Sequence, residues 1–190
     1  LMTVMNQTTQ VGIIGAGPAG LTLSLLLQRQ GIKSVILENR SRQYCESRVR
    51  AGLLEQNTVD LFDNLGVSER LHQEGLKHHG MYLSFNGKRQ RIPFDELTNG
   101  RYITIYGQQE VVKDLIKANL ERDVPIHFEA DATQIEGIES ENPIIHFTQN
   151  GENHTLECDY VAACDGFHGI GRKHLPKESY NEFRIDYPFS

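Results

Sequence analysis

The chain has 190 residues, with 19 Lys+Arg against 25 Asp+Glu and a formal net charge of −6. At 38% hydrophobic and 23% charged residues it can bury a core, which excludes wholesale disorder, collagen-like repeats and a disulfide-stapled miniprotein. The acidic balance supplies no general field for nucleic acid or anionic lipid, so neither is expected as a partner.

Cys45, Cys158 and Cys164 are too few and too irregularly spaced for a disulfide framework or a zinc site. No metal is expected, and the compartment reads as reducing. No apolar run approaches the roughly 18–20 residues of a membrane helix. The start, LMTVMNQTTQ, has neither the basic nor the apolar region of a secretory signal. A soluble cytoplasmic protein is expected, with translation starting at Met2 or Met5.

In chain order, Gln10 to Ile14 reads as a short buried strand, followed by Gly15-Ala16-Gly17-Pro18-Ala19-Gly20. Leu21, Leu23, Leu25, Leu26 and Leu27 then predict a helix buried on most sides, with Pro18 at its start and Gly31 at its end. Ser34 to Glu38 reads as a second strand, completing a β-α-β unit with parallel strands. Asn39 to Arg50 has the composition of a loop. Leu54, Leu61, Phe62 and Leu65 recur at helical spacing before Gly66, and a shorter helix is expected around Ser68 to Glu74. His78 and His79 fall on a loop.

From Met81 the period becomes two, and Asn86-Gly87 between Met81–Phe85 and Arg91–Phe94 predicts a hairpin. Tyr102 to Tyr106 reads as a strand, and Gln108 to Arg122 as a helix with Val111, Val112, Leu115 and Ile116 on one face. Extended segments follow at Ile126–Phe128, Pro143–Thr148 and Thr155–Cys158, with a turn at Asn150-Gly151. Tyr160 to Cys164 is a continuous apolar run ending at Asp165-Gly166, the pattern of a strand buried on both faces. The order predicts an α/β fold: a Rossmann-like parallel sheet carrying an antiparallel β insertion.

Three glycines in six residues are weak alone, but a preceding strand, a following helix and an acidic strand end make them a dinucleotide site. Gly15 permits the turn, Gly17 lets backbone approach a pyrophosphate, and Gly20 lets helix pack on strand. The carboxylate of Glu38 can accept from both hydroxyls of an adenosine ribose. The motif serves FAD and NAD(P) alike. The arginines of Arg48-Val49-Arg50-Ala51-Gly52-Leu53 suit a diphosphate or flavin edge, or form a solvated basic loop. Asp165 sits where such sheets bind ligands, and could equally be a helix cap or turn residue.

GIIGAGPAG, VILE, RVRAGLLEQ, YGQQE and CDYVAACDGFHG, in this order, make the chain resemble the FAD-dependent aromatic hydroxylases from about Gln10 to Phe189. The first motif belongs to a large superfamily, and the later ones are far more selective. A nicotinamide-dependent dehydrogenase domain has no reason to carry Asp-Gly after a late buried strand. The resemblance implies that Gly15, Gly17, Ala19 and Gly20 line the FAD pyrophosphate and that Glu38 holds the adenosine ribose. It places Arg48, Val49, Arg50, Ala51, Gly52 and Leu53 around the pyrophosphate and flavin, Gln108 on the FAD, and Asp165 at the ribityl or pyrophosphate region.

It further implies that NADPH is held transiently by Tyr44, Arg48, Arg50 and His168, with Arg40 and Arg42 near a 2′-phosphate. The family often has Arg where this chain has Asn39, which leaves NADH open, and commonly has Ser at Gly171, a difference expected to be structural. His78 matches the residue that relays the substrate's phenolic proton, a task suited to imidazole.

The activity implied is hydroxylation of 4-hydroxybenzoate by O2 to 3,4-dihydroxybenzoate, through a flavin C4a-hydroperoxide formed after NADPH reduces FAD, in a homodimer. Family members continue past Tyr187-Pro188-Phe189 into substrate-binding and flavin-binding segments. The chain is therefore expected to be an N-terminal fragment, inactive alone, whose substrate-binding and phenol-activating residues lie elsewhere. An FAD-binding piece of another aromatic hydroxylase and a dehydrogenase domain are the alternatives. The expected layout is an FAD-binding βαβ with following helices over 8–80, a hairpin insertion over 81–100, the rest of the FAD domain over 101–175, and the start of a substrate domain over 176–190.

Overall fold

The computed structural model describes residues 6–188; the rest, including Met2, Met5 and Phe189, lie outside the described residues. Strand β1 (Asn6–Ile14), helix α1 (Pro18–Arg29) and strand β2 (Ser34–Glu38) form the β-α-β unit, with β1 and β2 parallel from Val11 opposite Ser34 to Ile14 opposite Leu37. Pro18 begins α1, where a missing N–H costs nothing. The helix buries one face through Gly20, Leu21, Ser24 and Leu25, while Leu26 points outward, so it is less enclosed than its leucine content predicts. β1 is longer than expected. Residues 6–9 carry no apolar signal and become strand because Thr155 to Cys158 pair with them.

The arginine-rich stretch expected to be loop contains helix α2 (Arg42–Ser47). Its hold is local and polar: Ser41 Oγ accepts from the Tyr44 N–H at 3.2 Å, and Arg42 pairs with Glu46 at 2.7 Å. Strand β3 (Leu53–Glu55) precedes helix α3 (Gln56–Leu65), so Leu54, assigned to a helix on spacing, lies in a strand. Helix α4 (Glu69–Glu74) is where it was expected. Strand β4 (Leu76–His78) replaces the expected loop, pairing with a later strand so that His78 lies opposite Ile103.

Strands β5 (Gly80–Phe85) and β6 (Lys88–Pro93) form the expected hairpin, whose turn residues Asn86 and Gly87 have φ of 48° and 71°. Both angles are positive, which Asn-Gly tolerates better than other pairs. Phe94, expected in the second strand, starts helix α5 (Phe94–Leu97). Strand β7 (Ile103–Ile105) then joins β3 and β4 as the centre of a three-stranded antiparallel sheet.

Helix α6 (Gln108–Glu121) buries Val111, Val112, Leu115 and Ile116, the face read from spacing. Strands β8 (Ile126–Phe128), β9 (Ala130–Glu136), β10 (Ile144–Gln149) and β11 (Glu152–Ala163) complete the main sheet, followed by 3-10 turns at Gly171–His174 and Lys177–Ser179. The order is β8-β2-β1-β11-β10-β9; β8, β2, β1 and β11 run parallel, and β10 and β9 are antiparallel. β9 was not foreseen.

The two segments expected around Asp159 are one strand. Its first half lies between β1 and β10, whereas Asp159 to Ala163 has only β1 beside it. That end is only partly covered: Val161 and Ala162 pack against the apolar clusters, but Tyr160 is 73% exposed rather than buried on both sides.

The sheet separates two apolar clusters. Ile13 and Ile36 pack with α1, α3 and α6 through Leu21, Leu25, Phe62, Leu115 and Ile116; Val35 and Leu37 join Ile145, Phe147, Leu156 and Cys158. Period-two alternation along β2 makes this division. The first cluster contains a buried polar link between α1 and α6: Asn119 Nδ2 donates to the carbonyls of Leu21 (3.1 Å) and Leu115 (2.8 Å), while Ser24 Oγ donates to Asn119 Oδ1. Asn119→Ala should cost about 2–3 kcal/mol, since it removes three buried hydrogen bonds and opens a void. Urea denaturation measures this, and a loss below about 0.5 kcal/mol would show that the link carries no stability. No helix among the described residues is long and apolar enough to cross a membrane.

Candidate functional site

A cleft of about 760 Å³ opens at the carboxyl ends of β1, β2 and β11. Successive crossovers carry the chain from β1 to β2 and β8 on one side, and β11 returns on the other. The cleft therefore lies where the winding reverses, the usual binding position in parallel sheets.

Gly15 makes the turn after β1 with φ of +105°, and a Cβ there would lie 2.4 Å from the Cys164 carbonyl oxygen. The turn is thus wedged against the end of β11. Gly17 lines the cleft in extended conformation, and a Cβ on it would meet no protein atom within 4 Å. Its missing side chain leaves space for a ligand rather than for the protein. No side chain caps the N-terminus of α1, which leaves its dipole available to an anion.

Glu38 ends β2 at the cleft wall. Its Oε2 accepts from the Ala16 N–H and its Oε1 from the Arg40 N–H, both at 2.8 Å. These bonds hold the carboxylate beside the glycine turn and leave lone pairs for further donors. Arg40, Arg48 and Arg50 line the same cleft, and among the described residues none has a carboxylate partner. The Tyr44 ring has the Arg40 guanidinium 5.1 Å and the Arg48 guanidinium 5.8 Å from its centroid. Arg42 is neutralised by Glu46.

Asp165, Phe167, His168 and Ile170 form the opposite wall. Asp165 combines the two roles considered for it: it lines the cleft, and its Oδ2 accepts from the Gly171 N–H at 2.9 Å. A Cβ on Gly171 would lie 2.1 Å from the Ala163 Cβ, which accounts physically for glycine at that position. Gln108 lines the cleft from the first turn of α6.

Two thiols also face this space. Burial and then the Glu38 carboxylate push Cys45 up to about 11; burial and then Asp165 raise Cys164. Both remain neutral and act as apolar lining.

Several expected residues do not line the cleft. Ala19 is exposed on α1, and Gly20 packs inward, where a Cβ would sit 2.1 Å from the Gly15 oxygen. Val49 is 78% exposed, Ala51 is also exposed, and Leu53 pairs with Ile105 in β3. Gly52 lies against the backbone of Tyr106 and Gly107, tying the arginine segment to the start of α6. His78 is exposed on β4 and is not among the cleft residues.

The structure adds Ala130, Asp131 and Ala132 of β9, which the sequence reading missed. Their signal was an alternation, Ala130 then Ala132, that a register shift between His146 and Phe147 carries out of phase before Ile135. An open glycine cradle, an acceptor carboxylate and unpaired arginines together suit a ribose-diphosphate ligand.

The fold and cleft define a dinucleotide-binding domain with a parallel sheet and an antiparallel extension. The chain belongs to the FAD binding domain family, which matches residues 8–190. It is 42% identical over 186 residues to p-hydroxybenzoate hydroxylase of Acinetobacter baylyi, covering 98% of this chain and 46% of that protein. Against a probable NADH-specific resorcinol 4-hydroxylase of Rhodococcus jostii it is 26% identical, covering 88% of this chain and 32% of the relative. The fold matches p-nitrophenol 4-monooxygenase from Pseudomonas putida with a TM-score of 0.79 at 20% identity, over 90% of this chain and 45% of that one. The chain spans less than half the length of each.

Proposed function

We propose that the chain is the FAD-holding part of an NAD(P)H-dependent aromatic hydroxylase that converts 4-hydroxybenzoate and O2 to 3,4-dihydroxybenzoate. The observation that carries the reading is the convergence of Gly17, Glu38, Arg48 and Asp165, from four separate segments, on one cleft. The substrate assignment leans on the likeness to p-hydroxybenzoate hydroxylase. Bound FAD supplies the redox chemistry, and the chain supplies binding, orientation and charge.

In this reading the Gly15–Gly17 turn and the α1 N-terminus receive the pyrophosphate, and Glu38 accepts from the adenosine ribose. Arg48 and Arg50 offset phosphate charge, while Gln108 and Asp165 take the flavin half of the molecule. Tyr44, Arg48, Arg50 and His168 meet the nicotinamide dinucleotide at the cleft mouth, with the unpaired Arg40 nearest to serve a 2′-phosphate. Arg42 is a weaker candidate for that phosphate because Glu46 already neutralises it. Asn39 and the printed specificity of the Rhodococcus relative make NADH the second donor to assay. His78 relays the phenolic proton from a substrate region that the described residues do not form.

A chimera of this chain and the part of the Acinetobacter relative beyond the match tests the reading. It should form 3,4-dihydroxybenzoate from 4-hydroxybenzoate with FAD and NADPH, whereas the 190-residue chain alone should not. A folded, flavin-loaded chimera that oxidises NADPH without substrate-dependent product would refute the substrate assignment. In the same chimera, Arg50→Ala or His168→Ala should raise the KM for NADPH by about tenfold or more, the loss of one charged hydrogen bond, with a smaller effect on FAD affinity. Normal flavin reduction at low NADPH in both variants would remove these residues from the nicotinamide site.

A further inference from the structure

His174 ends the 3-10 turn after the Asp165–Ile170 wall and bridges two elements. Its Nδ1 lies 3.0 Å from the Ile170 carbonyl oxygen, and its Nε2 lies 3.2 Å from the Ile135 backbone nitrogen. A carbonyl can only accept and a backbone N–H can only donate. The two partners therefore fix the ring: Nδ1 carries the proton, and Nε2 offers its lone pair to Ile135. A protonated imidazole cannot keep both bonds, because its Nε2–H would face another N–H.

Ile135 belongs to β9, the terminal strand of the main sheet, whose first residues Ala130, Asp131 and Ala132 line the cleft. Ile170 belongs to the facing wall. We propose that His174 is a positioning residue, a proton-sensitive latch that holds the Asp165–Ile170 wall to β9, so that FAD affinity falls as the ring is protonated. This inference rests on the reading of the cleft as the FAD site.

The wall is also held where Ile170 packs against the cluster containing Ala130, Ala132 and Ile135, and the Gly171 N–H on Asp165 closes the segment on itself, so release of the latch loosens the wall without unfolding the chain. The titratable and charged groups on the elements packed here are Asp131 and Glu136 of β9, His146 of β10, Glu152, His154, Glu157 and Asp159 of β11, Asp165 and His168 of the wall, and Arg172 and Lys173 beside the ring. Glu136 is engaged with His146 at 2.7 Å, and among the described residues no carboxylate pairs with His174. No ion pair therefore favours the charged ring in the latched state. The latch therefore holds only with a neutral ring, because an added Nε2–H would point at the Ile135 N–H. By reciprocity, bound FAD opposes protonation of His174.

The test is FAD titration by flavin fluorescence from about pH 8 to about pH 5.5, the interval in which imidazoles charge, on this chain, His174→Gln and His174→Leu. A glutamine amide can donate to Ile170 and accept from Ile135 without titrating. At pH 8 the Gln variant should bind within about threefold of the parent, and the Leu variant about tenfold more weakly. On acidification the parent should lose affinity relative to the Gln variant by up to about tenfold per pH unit, the limit for one linked proton. Parallel pH profiles for parent and Gln variant overturn the proposal. Nitrogen NMR of the ligand-free chain gives an independent readout. It should show His174 protonated on Nδ1 at pH 8, with exchange protection of the Ile135 amide lost in acid; an Nε2–H tautomer overturns the latch. Failure of FAD to bind at pH 8 would overturn the cofactor reading instead, and the tautomer and Ile135 protection would still decide the latch.

Discussion

Glu38→Ala should weaken FAD binding by about 2–4 kcal/mol, on the order of 30- to 1000-fold in Kd, because it removes a charged acceptor and leaves its donors unpaired. The carboxylate already accepts from Ala16 and Arg40, so it stands fixed against the glycine turn before any ribose arrives. On the proposed reading its loss acts twice: the ribose hydroxyls lose their partner, and the Ala16 amide loses the bond that orients the turn. Glu38→Gln should be intermediate, since one oxygen still accepts while the amide NH₂ faces a backbone N–H. Fluorescence titration of all three chains checks this order. A change below about threefold in the alanine variant would remove Glu38 from the nucleotide site.

Gly20→Ala should lower folding stability by about 3 kcal/mol, the upper range for forcing a methyl into a packed site. A Cβ there would sit 2.1 Å from the Gly15 oxygen and 3.1 Å from Ile13 Cγ2, and the nearer atom is backbone, which cannot rotate away. Helix α1 must shift off β1, taking the glycine turn with it. Gly17→Ala is the contrast: its methyl meets no protein atom within 4 Å, so folding should change little while FAD affinity falls. Urea denaturation with FAD titration separates the two. Equal stability loss in both variants would mean that Gly17 is packed by protein and that the cleft does not approach it.

The parts of the fold legible in the sequence are those with local signals. The β-α-β unit, the Asn86-Gly87 hairpin and the buried face of α6 each announce themselves within a few turns of chain. The parts that were not legible depend on distant partners or on polar capping. β3 and β4 are three residues each and exist because β7 lies between them. α2 has no buried residue and is held by Ser41 and an ion pair. β9 alternates correctly only until its register shifts.

The site divides in the same way. Gly15, Gly17 and Glu38 were readable because one motif and its strand carry them. Arg48, Arg50 and Asp165 were local candidates with bland alternatives left open, and only the resemblance singled out Gln108 and joined the four, because nothing local says that their segments meet. The Ala130–Ala132 wall and the two neutral thiols became visible only when the chain was folded, and no spacing rule marks them. His174 could not be read as a bridge at all, since its meaning lies in two backbone partners, one of them 39 residues away.

The most direct measurement of the central claim is equilibrium dialysis of the purified 190-residue chain at pH 8 against FAD and, separately, against NADPH. One equivalent of tightly held FAD, with a shifted flavin absorbance and with only weak NADPH retention, is the predicted result. Tight NADPH retention with no bound flavin would contradict it and make the cleft a nicotinamide site.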